Sequence, residues 1–175
     1  MGLALLAVML GAAGAAAQEA YFGAVAEFFA LPRSEVAILA EWPLPADEIP
    51  VVLFLARRAG ISPEALVALR DSGRGWSELA GRYRVDASHF HVPLGDGTDA
   101  RRLDAAYRQF RGLPPGRWGE VSLRDEDIVS LVNLRVLSQT LRRSPDEILA
   151  QAGAGPWADL YARLMGGSRP RPGPR

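Results

Sequence analysis

The chain repeats itself, and this constrains its fold more than any other feature. The segment "PVVLFLARRAGISPEALVALRDSGRGWSELAGRYRV", from Pro50 to Val85, aligns with "VNLRVLSQTLRRSPDEILAQAGAGPWADLYARLM", from Val132 to Met165. Ser62-Pro63 falls on Ser144-Pro145, Leu66 on Ile148 and Ala68 on Ala150. After a one-residue gap, Trp76 falls on Trp157 and Leu79 on Leu160. A fainter copy runs from Val25 to Pro50, where Arg33-Ser34-Glu35-Val36 stands for the second helix start and Asp47-Glu48-Ile49 for the third. A unit of this size buries its apolar face against its neighbour, so the copies are expected to pack on one another.

Each unit reads as helix, turn, helix, turn, helix. Ser62 suits an N-cap and Pro63 the first helical position, where a missing N–H costs nothing. Ser144-Pro145-Asp146-Glu147 adds a capping box. Gly73 and Gly153 are expected to end helices in a left-handed turn. Trp76 and Trp157 then open short helices. The spacing predicts a helix over about Glu48–Ala59, apolar nearly all round and therefore central. It predicts another over about Asp125–Arg142, amphipathic, with Arg135, Gln139 and Arg142 on its wet side. No alternating strand pattern occurs.

Between the copies, Asp99 is placed to cap a helix over about Ala100–Arg111, with Leu103, Tyr107 and Phe110 on one face. Leu113-Pro114-Pro115-Gly116 stops it, and the connector is expected to dock through its aromatics. The predicted fold is all-α, a small orthogonal bundle of short helices built from two related repeats and the fainter third. The expected organisation is a signal peptide over 1–17 and a single helical domain over 18–165. Within it, repeat 1 covers about 46–92, the connector 93–123 and repeat 2 about 124–165. Residues 166–175, "GGSRPRPGPR" from Gly166, have little to bury and read as a disordered tail.

The leader expectation rests on Leu3–Ala17, an unbroken run of apolar or small residues ending in "AAA" before Gln18. Ala15 and Ala17 suit the small-residue pocket of a signal peptidase. The run is short for a membrane span, which takes about 20 apolar residues. Its start carries no Arg or Lys, a departure from the usual signal. A retained membrane anchor is the competing reading. The mature chain is expected to begin near Gln18 or Glu19, with no transmembrane span, in the periplasm or secreted. The chain has no cysteine, which removes disulfides and Cys-based zinc sites. All its basic residues are Arg, and the net charge of +0 gives no general pull toward nucleic acid.

The stretch from Asp71 to Val92, "DSGRGWSELAGRYRVDASHFHV", is similar to the middle of a helix-turn-helix DNA reader. Ala65–Ser72 would be its first helix, Trp76–Tyr83 its positioning helix and Asp86–Val92 the start of its recognition helix. A reader needs side chains for base edges and cations for phosphates. From Val85 to Leu94 there is no Arg or Lys, and Pro93 cuts the third helix short. Packing alone accounts for the pattern. His89 and His91 form a His-x-His pair, below the ligand count of a usual metal site. Asp125-Glu126-Asp127 sits where anions complement a helix dipole, as does Asp47-Glu48. Arg169, Arg171 and Arg175 would give weak attraction to an anionic surface. No phosphate loop, nucleophile elbow or His-Glu helix motif appears, so neither enzyme activity nor a cofactor is expected. Trp42 and Trp118, outside the aligned copies, are candidate contact residues, because Trp is enriched at interface hot spots. Docking onto the core is their competing reading.

The elements "DEIPVV", "SGRGW" and "DEDIVSLVNLR" carry a resemblance to uncharacterised exported bacterial proteins with a duplicated helical unit. The likeness covers about Phe22 to Leu164. It implies export and a helical fold, and no activity. The second copy departs from the first: "AGAGPW" replaces "DSGRGW", and nothing like "HFHVP" follows. The expectation is an exported, non-enzymatic module that binds a macromolecule, a protein before a nucleic acid, or serves envelope structure. Nucleic-acid binding through the first repeat and metal binding through His89 and His91 are the alternatives. The oligomeric state is left open.

Overall fold

The computed structural model describes the backbone of residues 2–166 and their side chains, apart from those of residues 2–13, Arg33 and Val36. Every regular element in that range is helical, and the protein is all-α. The chain opens with α1 (Gly2–Phe29) and α2 (Arg33–Glu41). A 3-10 turn, Ala46–Glu48, leads into α3 (Ile49–Ala59), followed by α4 (Pro63–Asp71), α5 (Trp76–Arg82) and α6 (Ala87–Phe90). The connector holds α7 (Asp104–Arg111) between 3-10 turns at Arg101–Leu103 and Pro115–Glu120. The second copy is α8 (Asp125–Leu141), α9 (Pro145–Gln151) and α10 (Trp157–Gly166).

The helix starts follow from local chemistry. The Ser62 hydroxyl accepts from the Ala65 N–H at 3.2 Å, and the Ser144 hydroxyl from the Glu147 N–H at 3.2 Å. Glu147 returns the bond to the Ser144 N–H at 3.3 Å, completing the capping box. Asp99 accepts from the Arg101 N–H at the 3-10 turn, and the connector helix starts only at Asp104 rather than near Ala100; Leu103 in the turn and Tyr107 and Phe110 in the helix are all buried, as the spacing implied.

The helix ends are less uniform. Gly73 is left-handed, with φ 92°, but Gly153 is not: α9 stops at Gln151 and its cap, Ala152, has φ −74°. The left-handed caps that do match between the copies are Gly60 after α3, φ 69°, and Arg142 after α8, φ 52°. One copy fills this position with the residue that has no Cβ, the other with a side chain that strains it.

α3 is central, as its apolar run implied: Ile49 through Ala56 are all buried. α8 departs from the expected amphipathic helix. From Asp127 to Ser138 every residue except Val129 and Arg135 is buried, including Asp127, Ser130, Asn133 and Ser138. Asp127, Asn133 and Ser138 look wet in the sequence because their partners are either distant backbone or groups within a turn of them. Arg135 is not on a wet side either. Its guanidinium donates to the carbonyls of His89 at 2.9 Å and His91 at 2.7 Å, tying α6 to α8.

Two long helices, α1 and α8, stand among the short ones. α1 runs unbroken through the expected cleavage point after Ala17. Between Gly14 and Ala20 its side chains are exposed, Ala17 alone being half-buried. From Tyr21 onward Tyr21, Phe22, Ala24, Val25, Ala26 and Phe29 enter the core. The buried apolar residues of α1, both copies and the connector form one continuous cluster. The expected disordered tail, with Arg169, Arg171 and Arg175, lies outside the described residues apart from Gly166, which ends α10.

Candidate functional site

The site is built from the two tryptophans that open the short helices. Trp76 is 0% and Trp157 1% exposed. A guanidinium covers each ring: Arg70 lies 5.3 Å from the Trp76 centroid and Arg102 5.1 Å from that of Trp157. Arg70 comes from α4, whereas Arg102 comes from the connector, because the second copy has Ala152 where the first has Arg70. Among the described residues, the indole N–H groups of both tryptophans are buried without a hydrogen-bond partner.

Neither short helix caps its own first turn; each borrows an aspartate from the other copy. Asp125, the first residue of α8, accepts from the Ser77 N–H and the Ser77 hydroxyl, both at 2.9 Å, at the start of α5. Asp47, in the turn before α3, accepts from the Trp157 N–H at 2.8 Å and the Ala158 N–H at 3.1 Å, at the start of α10. The copies therefore exchange caps. The approach explains "GRGW": a Cβ on Gly75 would stand 3.0 Å from a carboxylate oxygen of Asp125.

The two carboxyls respond differently. Burial pushes the Asp47 carboxyl above its usual range, against the pull of the Trp157 and Ala158 N–H groups and of Arg102. Burial pushes Asp125 the same way, but the Ser77 and Trp76 N–H groups, the Ser77 hydroxyl and Arg70 outweigh it and hold Asp125 below its usual range.

Between the exchanged caps lies a cleft of about 650 Å³. Asp47, Glu48, Asp125 and Glu126 bring four carboxylates to its lining, and Arg70 and Arg102 bring two guanidiniums. Glu48 grips Arg70 through two bonds of 2.8 Å, and Arg70 lies 3.6 Å from Asp125. Arg102 donates to the Gly155 carbonyl at 3.0 Å. Behind the cleft a buried chain of hydrogen bonds joins three parts of the fold. The Tyr21 hydroxyl of α1 donates to Asn133 Oδ1, and Asn133 Nδ2 donates to the carbonyls of Asp47 and Val129, each at 2.8 Å.

The other sequence candidates lie elsewhere. His89 pairs with Asp86 through Nδ1 at 3.0 Å. His91 stacks on Trp118 with ring centroids 3.9 Å apart and meets Phe110 edge-on. Burial, reinforced by Arg135, lowers the His91 pKa. Among the described residues no group of three or more His, Cys, Asp or Glu is placed to hold a metal ion. Trp118 donates its N–H to the Phe110 and Leu113 carbonyls, both within the connector, and reaches the first copy through its stack on His91. Trp42, at the end of α2, is half-buried against the core. The helix-turn-helix segments fall on α4, α5 and α6, but α6 has four residues and buries Ala87 and Phe90.

The acidic triplet divides its work. Asp125 caps α5, Glu126 pairs with Arg124 at 2.9 Å, and Asp127 accepts from the Arg124 N–H at 3.0 Å. Sequence reasoning placed these anions at a helix start but missed the exchanged caps and the cleft. The available signal was an unpaired Asp before each long helix of a duplicated unit whose Trp-led helices have no Ser, Thr, Asp or Asn immediately ahead of them.

The fold and site define an all-α protein of two helical copies that exchange caps across a charged cleft. No family model, curated protein or solved structure matches the chain.

Proposed function

We propose that the protein is an exported, non-enzymatic helical module that binds another macromolecule, a protein, outside the cytoplasm, with a structural role in the envelope as the nearest variant. One observation carries the export reading. The leader and its cleavage point precede Tyr21, the first buried residue among the described side chains. Cutting after Ala17 therefore leaves the known core whole. The resemblance to exported bacterial proteins with a duplicated helical unit points the same way.

The binding reading draws on the cleft, where charged groups gather without a nucleophile–base pair of the kind that splits bonds. Among the described residues no helix is long and apolar enough to cross a membrane. The test is crosslinking in cells that make the tagged full-length chain, with the captured species identified by mass spectrometry. The expected result is one reproducible partner outside the cytoplasm. Reproducible capture of nothing contradicts the reading.

A further inference from the structure

The cleft holds polar groups with bonding capacity to spare. Ser130, midway along α8, lines the cleft and is 5% exposed, yet its hydroxyl makes no hydrogen bond among the described residues. Trp157 stands in the same lining, 1% exposed, its N–H without an acceptor. Arg102 forms no ion pair among the described residues and spends one bond on a carbonyl. A donor that faces the cleft without a protein acceptor gains about 0.5–1.5 kcal/mol net from an incoming one. The lining also carries two more carboxylates than guanidiniums. Glu126 is the most exposed of the four, its side chain 65% open to solvent, and among the described residues it pairs only with the exposed Arg124.

These features select among ligands. An anion meets the surplus of carboxylates. A polyamine or simple cation answers that surplus but brings no acceptor for Ser130 or Arg102. A peptide with basic side chains supplies both: cations for the carboxylates and carbonyls for those donors.

We propose that this cleft receives a polypeptide segment of a partner carrying arginine or lysine, with Glu126 taking the cation and the Ser130 hydroxyl and Arg102 donating to the segment's backbone carbonyls. The proposal rests on the reading of the protein as a protein-binding module and names the surface and the chemistry of its partner.

The test is fluorescence anisotropy with the purified full chain and a dye-labelled acetyl-Gly-Arg-Gly-Arg-Gly amide at low salt. Saturable binding that weakens as salt rises is expected, because exposed charges are screened. Glu126→Gln is expected to weaken it roughly tenfold and Ser130→Ala roughly threefold, given the strength of charged and neutral hydrogen bonds. Both variants should melt at the wild-type temperature, since Glu126 is exposed and Ser130 has no partner to lose. Equal affinity for the peptide with Glu in place of Arg overturns the proposal. So does displacement by spermidine as effective as by unlabelled peptide, and so does wild-type affinity in both variants.

The same variants separate this proposal from the reading beneath it. A partner crosslinked equally by wild type, Glu126→Gln and Ser130→Ala would leave the binding module standing and remove the cleft from it. Peptide binding in vitro with no partner captured in cells would support the cleft and count against a macromolecular partner.

Discussion

Arg142 shows how much one backbone angle weighs at a helix end. It takes the left-handed conformation at φ 52° where the first copy has Gly60, and a Cβ there is strained by roughly 1–2 kcal/mol. Arg142 is exposed. Arg142→Gly should therefore stabilise the protein by about 0.5–1 kcal/mol, the strain being partly offset by the greater unfolded-state freedom of Gly. Urea denaturation checks it; a destabilised variant would show that the arginine side chain makes a contact worth more than the strain.

The exchanged aspartates give a second residue-scale prediction. The Asp125 carboxyl is held below its usual range, so its contribution is present above the unfolded pKa and is lost as pH falls through the folded one. The Asp47 carboxyl is raised, so its titration favours folding below the unfolded pKa, and that advantage disappears as pH rises through the folded value. Asp125→Asn should thus cost more at pH 7 than in acid, by about 1 kcal/mol at pH 7, the usual worth of a helix cap. Asp47→Asn should cost less at pH 7 than in acid. Equilibrium unfolding of both variants across the carboxylate range reads the two slopes, and slopes of the same sign contradict the account.

At the scale of elements, the polar centre of α8 ties α1 and the turn before α3 to the second copy. Asn133 is 0% exposed and answers Tyr21 from α1 and the Asp47 carbonyl from the turn before α3. Asn133→Ala leaves those two groups without partners and should cost about 3 kcal/mol, since each unsatisfied buried group costs about 1–3 kcal/mol. Tyr21→Phe removes one donor and should cost about 1 kcal/mol. Thermal unfolding distinguishes them, and equal losses would mean that the hydrogen-bond chain contributes little.

The sequence made the start of the second helix of each copy legible, because Ser62-Pro63 and Ser144-Pro145 act on neighbours within one turn. It also made the apolar centre of α3 legible, because a run of large aliphatic side chains has one destination. It misled about α8, since Asp127, Asn133 and Ser138 look solvated until their partners are known. Asp127 and Ser138 bond within α8 or its first turn, whereas Asn133 reaches Asp47, 86 positions earlier. The exchanged caps were hidden for the same reason: Asp47 and Trp157 lie 110 positions apart. The aromatic docking of the connector was half legible. Tyr107 and Phe110 follow helical spacing, whereas the Trp118–His91 stack joins residues that no local rule pairs.

For the whole molecule, α1 is both the opening of the chain and a wall of the core. Its buried half begins at Tyr21, three residues past Gln18. A chain beginning at Gln18 should therefore unfold within a few degrees of the full-length protein. One beginning at Arg33 loses Tyr21, Phe22, Val25 and Phe29 from the core and should not fold cooperatively, because deleting buried aromatic and aliphatic groups costs about 2–5 kcal/mol each. Differential scanning calorimetry of the two chains gives the comparison. The cleavage point expected after Ala17 thus coincides with an exposed stretch of α1, Gly14–Ala20, just ahead of the buried residues that open at Tyr21.

That coincidence matters only if the protein leaves the cytoplasm, and intact-mass spectrometry of the chain recovered from fractionated cells decides it. A C-terminally tagged full-length chain should be found outside the cytoplasm, shortened to begin at Gln18 or Glu19. Recovery of a folded, soluble chain from the cytoplasm, at full mass with residues 1–17 in place, would contradict the account.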